Sequence, residues 1–216
     1  MLERNIRLKQ AVIETQISKP TLIDWYRFCR HICFFYFELV VDDSNIGGVG
    51  REIEIVDSLL SKRKYRGRLV EHVWLIGGID RAYPTKFFVE IVSDRSKETL
   101  LEIIKRKILP GTTIYSDGWA SYKCLVDNGY QHRVINHSEN FVDPENPQVH
   151  TQTIESRWSA LKRQVKRKGT NLKVHIEEYL MEYVYRKKFK DTNIFEQLMS
   201  DIRMKYSFTQ SPANIQ

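Results

Sequence analysis

Cysteine is scarce in this chain: among 216 residues there are three, Cys29, Cys33 and Cys124. Three thiols are too few for a disulfide framework and point to a reducing compartment. Cys29 and Cys33 lie one helical turn apart in an apolar run without histidines at a zinc-ligand spacing, so they read as core packing. Long apolar runs are also missing. The richest, HICFFYFELVV over 31–41, is interrupted by Glu38 and falls short of the roughly eighteen residues that a membrane-spanning helix needs. The N-terminal MLERNIRLKQ is charged and has no apolar signal core, which predicts a soluble intracellular chain without a membrane partner. Acids are in the minority, 27 Asp and Glu against 34 Lys and Arg, for a net charge of +7. The cations are clustered, which argues for a polyanionic partner over the simpler alternative of a solvated basic surface.

What the chain does contain is a succession of helix and strand signals. Residues 3–15 carry an apolar stripe of Ile6, Leu8, Ala11, Val12 and Ile13 and predict a short helix. Ser18 is a good N-cap and Pro20 falls in the first turn, where its missing N–H costs nothing, so a second helix is expected from about Lys19 to Leu39. The short connection suits an ordinary helical hairpin; it is also compatible with a helix-turn-helix, whose second helix enters the major groove of DNA. Residues 42–50, DDSNIGGVG, read as a linker, and the domain boundary is placed there.

Beyond the linker, Glu52, Glu54 and Val56 alternate with Ile53, Ile55 and Asp57 in a short strand. Residues 70–79 and 85–92 predict two more strands. Ser96 then caps a helix whose Leu100, Leu101, Ile103, Ile104 and Ile108 face a sheet, and Pro110-Gly111 ends it. Thr112, Ile114 and Tyr115 form a fourth strand, residues 118–125 a helix, and 132–136 a fifth strand. After a polar loop over 137–148 come a helix from about 151 to 168 and a last helix from Leu172 to Lys188. From Asp191 the pattern weakens and SFTQSPANIQ reads as disordered. The fold class is α/β with strand and helix order βββαβαβα. The segments are 1–45 helical, 46–190 the main domain and 191–216 a partly disordered tail.

Two carboxylates stand out by position. Asp117 falls where the fourth strand emerges from the sheet, the usual place for functional side chains in α/β folds. Glu155 lies near the start of the 151–168 helix and shares a face with Ser159 and Lys162. Carboxylates on a strand end and a facing helix can hold Mg²⁺ or Mn²⁺, which prefer oxygen ligands, and two such ions clamp an in-line phosphoryl displacement. Lys62, Arg63, Lys64, Arg66 and Arg68 crowd a loop suited to phosphate contacts that fix position without reading sequence, the alternative being a solvated hairpin turn. Lys162, Arg163, Lys166 and Arg167 follow Glu155 with no intervening acid and offer a basic face to a phosphodiester. His137, Asp143 and His150 match no zinc spacing and read as structural or as holding a loop beside the site.

The strings SLLSKRKY, WLIGGIDR, VSDRSKETLLEIIKRKILPGTTIYSDGWASY, INHSENFVDPENPQVHTQTIESRW and LKRQVKRKG, between about Ile46 and Phe189, resemble the catalytic core of DDE transposases. The resemblance is to the group that joins certain bacterial insertion-sequence transposases to the eukaryotic Merlin superfamily. It implies a ribonuclease-H-like mixed sheet with helices on both faces, and a helix-turn-helix-like, DNA-binding segment over 1–45. It implies cut-and-paste DNA transposition: Mg²⁺-dependent hydrolysis and strand transfer on double-stranded transposon ends and target DNA, by a homo-oligomer, in a nucleus or a bacterial cytoplasm. The family's I-x-S-D-x-W-x-x-Y and H-T-x-x-I-E-x-x-W strings carry two metal ligands onto Asp117 and Glu155, and Lys162 matches a basic DNA-end contact.

The family's first Asp maps differently. Its V-E-I-D-E-S string meets Ile53-Glu54-Ile55-Val56-Asp57-Ser58, with Val56 at the Asp and Asp57 at the neighbouring Glu. Adjacent strand residues point to opposite faces, so Asp57 completes a catalytic and metal-binding set with Asp117 and Glu155 only if a bulge or a one-residue slip turns it inward. Three readings follow: a transposase, impaired by Val56 unless Asp57 stands in for the first Asp; a catalytically inactive DNA-binding or scaffold protein derived from one; or a degenerate transposon copy with no retained task.

Overall fold

A computed structural model describes residues 8–37, 45–61, 64–65, 68–69, 73–135, 151–167 and 172–206. The chain forms two compact units, residues 1–42 with 185–216, and residues 43–184.

The larger unit is a mixed α/β sheet built from the alternation in the sequence. Its elements are β1 (Ile46–Gly47), β2 (Glu52–Ser61), β3 (Lys64–Tyr65), β4 (Arg68–Leu69), β5 (Val73–Asp80) and β6 (Phe87–Val92). After these come α1 (Lys97–Lys107), β7 (Ile108–Leu109), β8 (Thr113–Asp117), a 3₁₀ helix (Ala120–Asn128), β9 (Gln131–Ile135), α2 (Gln152–Arg167) and α3 (Leu172–Lys188). Five strands pair in the order β6-β5-β2-β8-β9. β6, β5 and β2 run antiparallel, whereas β2, β8 and β9 run parallel. The β5–β6 hairpin is set by Asp80, whose Oδ1 accepts the N–H groups of Ala82 and Tyr83, each at 3.0 Å. A parallel neighbour for β2 requires a crossover, and α1 supplies it. Ser96 caps that helix by accepting the Thr99 N–H at 3.3 Å, as its sequence predicts.

The two faces of the sheet have different covers. Ile53, Ile55, Ile76 and Ile114 pack with Leu100, Ile103 and Ile104 of α1 and with Tyr122 and Leu125 of the 3₁₀ helix. The other face lies beneath α2, whose Ile154, Trp158, Leu161 and Val165 are buried. A Cβ on Gly77 would come within 2.9 Å of the Trp158 ring, so that glycine sets how closely α2 approaches β5. Three details depart from the sequence reading. β2 runs on to Ser61, residues 120–128 wind as a 3₁₀ rather than an α-helix, and Ile108-Leu109 pair in parallel with Ile46-Gly47.

The smaller unit contains α4 (Leu8–Thr15), α5 (Lys19–Tyr36) and α6 (Ile194–Lys205), together with α3 from Tyr185 onward. Ser18 accepts the Thr21 N–H and Pro20 sits in the first turn of α5, as expected. Cys33 is buried with Ile32, Tyr36, Tyr185 and Leu198, and Cys29 packs against them, so these cysteines do serve as core. Part of the 191–216 segment differs from its expected tail. Asn193 accepts the N–H groups of Phe195 and Glu196, and α6 follows, burying Leu198 and Asp201. Asp201 accepts from the Tyr185 hydroxyl at 2.5 Å and from Gln197 Nε2 at 3.0 Å, an anchor that apolar periodicity does not reveal. Among the described residues no helix is long and apolar enough to cross a membrane.

Candidate functional site

The strand register decides which carboxylates can meet. Glu52 to Ile55 of β2 pair in parallel with Thr113 to Ser116 of β8, so one step further along the register Val56 lies beside Asp117. On the antiparallel side Val56 pairs with Gly77 and Asp57 with Ile76. Gly77 is under Trp158 of α2, whereas Ile76 belongs to the core beneath α1. Strand alternation therefore puts Glu54, Val56, Tyr115 and Asp117 on the α2 face, and Ile53, Ile55 and Asp57 on the α1 face. The irregularity in β2 that would re-aim a side chain falls between Leu59 and Ser61, beyond Asp57.

Asp57 accordingly has a full set of neighbours on its own face. It is 7% exposed, its Oδ1 accepts from the Tyr122 hydroxyl at 3.1 Å, and Arg95 Nε stands 2.5 Å from its Oδ2. Neither Asp57 Oδ2 nor Arg95 Nε has an aligned hydrogen bond, so charge holds this pair. Burial first, then the carboxylates of Asp57 and Asp117, raise the Tyr122 hydroxyl well above the ordinary phenol range. Tyr122 therefore remains a protonated donor to Asp57.

Asp117 ends β8, partly buried, and its Oδ1 accepts the Trp119 N–H at 3.3 Å. Glu155 lies in the first turn of α2. It is tied to Thr151 twice: its N–H donates to the Thr151 carbonyl at 3.1 Å, and the Thr151 hydroxyl donates to its Oε1 at 2.8 Å. Glu54, which alternation alone would leave on a polar strand face, is fully buried under the same helix. Its Oε2 accepts the Ile154 N–H at 3.0 Å, and Arg81 Nε donates to its Oε1 at 3.1 Å. Arg81 also stacks on Tyr115, 4.2 Å from the ring centre. A carboxylate against the first-turn amides favours the helix end electrostatically, so Glu54 fixes where Glu155 begins its turn.

The basic residues divide. Lys162 is partly buried and Arg163 exposed on α2, with Lys166 and Arg167 in its last turn. Lys64 and Arg68 stand in β3 and β4, which pair antiparallel; Lys62, Arg63 and Arg66 lie outside the described residues, as do His137, Asp143 and His150. Arg157 is occupied structurally: its Nη2 donates to the Pro84 carbonyl at 2.7 Å and its guanidinium lies over Phe87. Arg95 and Glu54 were invisible in the sequence as site residues. The available signals were a lone Arg before a helix cap and an acid inside an apolar strand.

The donor set tests the magnesium expectation. Among the described residues no three His, Cys, Asp or Glu side chains converge in a way that would hold a metal ion. Val56 occupies the strand position beside Asp117, and Asp57 is committed to Arg95 and Tyr122. These residues do not fit a two-ion centre.

Residues 39–190 match the family model of the ISXO2-like transposase domain. An uncharacterized transposase-like protein of Haemophilus influenzae is 31% identical over 113 residues, which cover 52% of this chain and 88% of that protein.

Proposed function

Starting from the membership of this chain in the ISXO2-like transposase domain family, we propose that it is a DNA-binding transposase derivative whose strand-cutting chemistry is impaired at Val56. The observation that carries this reading is the commitment of Asp57 to Arg95 and Tyr122, on the face opposite its neighbour Val56. The strand order β6-β5-β2-β8-β9, with the first three antiparallel, supports a ribonuclease-H-like sheet of the kind used by DDE and Merlin-type enzymes. In that reading Asp117 and Glu155 are the two remaining members of an acidic triad. Binding is to duplex DNA, by more than one copy when two ends are held together. Arg163, Lys166 and Arg167 meet phosphates, and Lys162, seven residues after Glu155, shares its face of the helix.

The chain's own residues do three things in this scheme. Glu54 and Thr151 set the first turn of α2 and hence the Glu155 carboxylate. The Trp119 amide orients Asp117. Val56 puts an apolar side chain where an oxygen ligand is needed, and loss of one such ligand leaves an ion without its full shell.

The experiment is Val56→Asp assayed by Mn²⁺-dependent nicking of supercoiled plasmid. Nicking well above the parent is expected, and a further Asp117→Asn change should abolish the gain. An unchanged rate in a folded Val56→Asp protein would overturn this assignment of the lesion.

A further inference from the structure

Trp119 is held far more firmly than an exposed side chain ordinarily is. It is 42% exposed and directly follows the Asp117-Gly118 turn. Its amide donates to Asp117 Oδ1, and its indole Nε1 donates to the Arg95 carbonyl at 3.4 Å. The Arg95 guanidinium carbon lies 3.9 Å from the Trp119 ring centre and 4.3 Å from that of Trp74. Below them Arg95 meets Asp57, and the Ser121 hydroxyl donates to the Arg95 carbonyl at 2.9 Å. Trp74, Arg95 and Trp119 thus form a column rising from the sheet to the surface. Its uppermost layer is an indole whose inner face is covered by a cation.

We infer that the outer face of Trp119 is a stacking platform for an unpaired nucleobase placed beside Asp117, an inference that rests on the DNA-binding reading above. Three features select this ligand. The cation beneath the ring draws π density inward, so the outer face suits a neutral π system better than a second cation. The Asp117 carboxylate beside it repels a phosphate but accepts from the N–H groups at a base edge. Because the indole is already held by its Nε1 hydrogen bond to the Arg95 carbonyl and by the guanidinium against its face, little side-chain entropy remains to be lost on stacking. Bases inside a duplex have both faces covered by neighbours, so the partner is a base in a single strand or at a splayed end.

The test uses the full chain and a 3′-overhang oligonucleotide with 2-aminopurine at the first unpaired position, alongside the blunt duplex of the same sequence. The parent is expected to quench 2-aminopurine on binding. Trp119→Ala should abolish that quenching and weaken overhang binding by about tenfold, in line with stacking energies per base, and leave blunt-duplex affinity unchanged. Trp119→Phe, which retains a π face, should restore most of both signals; it also controls for loss of the column's packing. The triple variant Arg163→Ala, Lys166→Ala, Arg167→Ala should instead weaken blunt-duplex binding and flatten its salt dependence. Overhang binding and quenching unchanged in Trp119→Ala, with duplex binding intact, would overturn the platform alone. A parent that binds neither oligonucleotide would overturn the DNA-binding reading and the platform with it.

Discussion

Arg95 Nε lies 2.5 Å from Asp57 Oδ2, and the same guanidinium is sandwiched between Trp74 and Trp119. The pair is asymmetric: the Asp57 side chain is 1% exposed and that of Arg95 23%. Removing the cation strands a buried carboxylate; removing the carboxylate leaves a cation that still has two aromatic faces and some water. Arg95→Ala is therefore predicted to destabilise the larger unit by about 3 kcal/mol, and Asp57→Ala by less. In urea unfolding the double variant should lose less than the sum of the singles, by about 1 kcal/mol or more. Strict additivity would mean that the two groups do not act as a pair.

The anchoring of α2 by Glu54 makes a second prediction. Its two oxygens serve the Ile154 amide and Arg81, both without access to bulk solvent at Glu54 itself. Glu54→Ala leaves a helix-end amide unmatched and takes one carboxylate from Arg81, which keeps Glu52 Oε2 at 3.3 Å and the Tyr115 ring, and should cost about 1–3 kcal/mol. Glu54→Gln keeps an acceptor for the amide and should cost less. Hydrogen exchange at residues 152–156 is the direct readout. If those amides exchange no faster in Glu54→Ala, Glu54 does not anchor the helix.

Much of this architecture is legible from the sequence because it depends on local chemistry. Ser18 and Ser96 announce their helices through side-chain oxygens that accept amides three residues on. Trp158, Leu161 and Val165 reveal the buried stripe of α2 through their spacing. What stays hidden depends on partners far along the chain. Glu54 and Ile154 are a hundred residues apart, and no periodicity says that this acid caps that helix. Which face Asp57 takes depends on the register of β2 against β5 and β8, and β2 alone does not encode that pairing. Residues 194–205 do carry a helical signal, with Ile194, Leu198 and Ile202 at i, i+4 and i+8 after the Asn193 cap; what the sequence hides is their partner, α5, from the other end of the chain.

Gly77 supports a third prediction. A methyl group there would meet the Phe88 carbonyl and the Trp158 ring, each at 2.9 Å. One is backbone and the other a buried ring, and neither can yield cheaply. Gly77→Ala should cost about 1–3 kcal/mol. Trp158→Leu should recover part of that loss in the double variant, because it removes one of the two obstacles. A Gly77→Ala protein as stable as the parent would show that α2 has room to move off the sheet.

The last prediction concerns pH. His132 on β9 is half-buried, and its Nε2 lies 2.8 Å from the Ser116 hydroxyl oxygen. That hydroxyl already donates to the Asp117 carbonyl at 2.9 Å, so Nε2 is the donor to Ser116. Burial lowers the His132 pKa from its ordinary 6.5. The unfolded chain, with its imidazole in water, therefore binds the proton more readily than the folded one. Stability should decline as pH falls through 6.5 and the decline should stop below the folded-state pKa, with no contribution from this group above about pH 7. Urea midpoints at pH 7.5, 6.5 and 5.5, compared with those of His132→Gln, isolate this contribution from that of the other titrating groups. The glutamine variant should fall less than the parent across that window. Because Ser116 also accepts from the imidazole next to Asp117, ¹H–¹⁵N shifts of Asp117 and Gly118 should follow the same titration. Equal pH dependence in the two proteins would mean that His132 is solvated in the folded chain, and the Ser116–His132 contact would then not be a constraint on the Asp117 strand end.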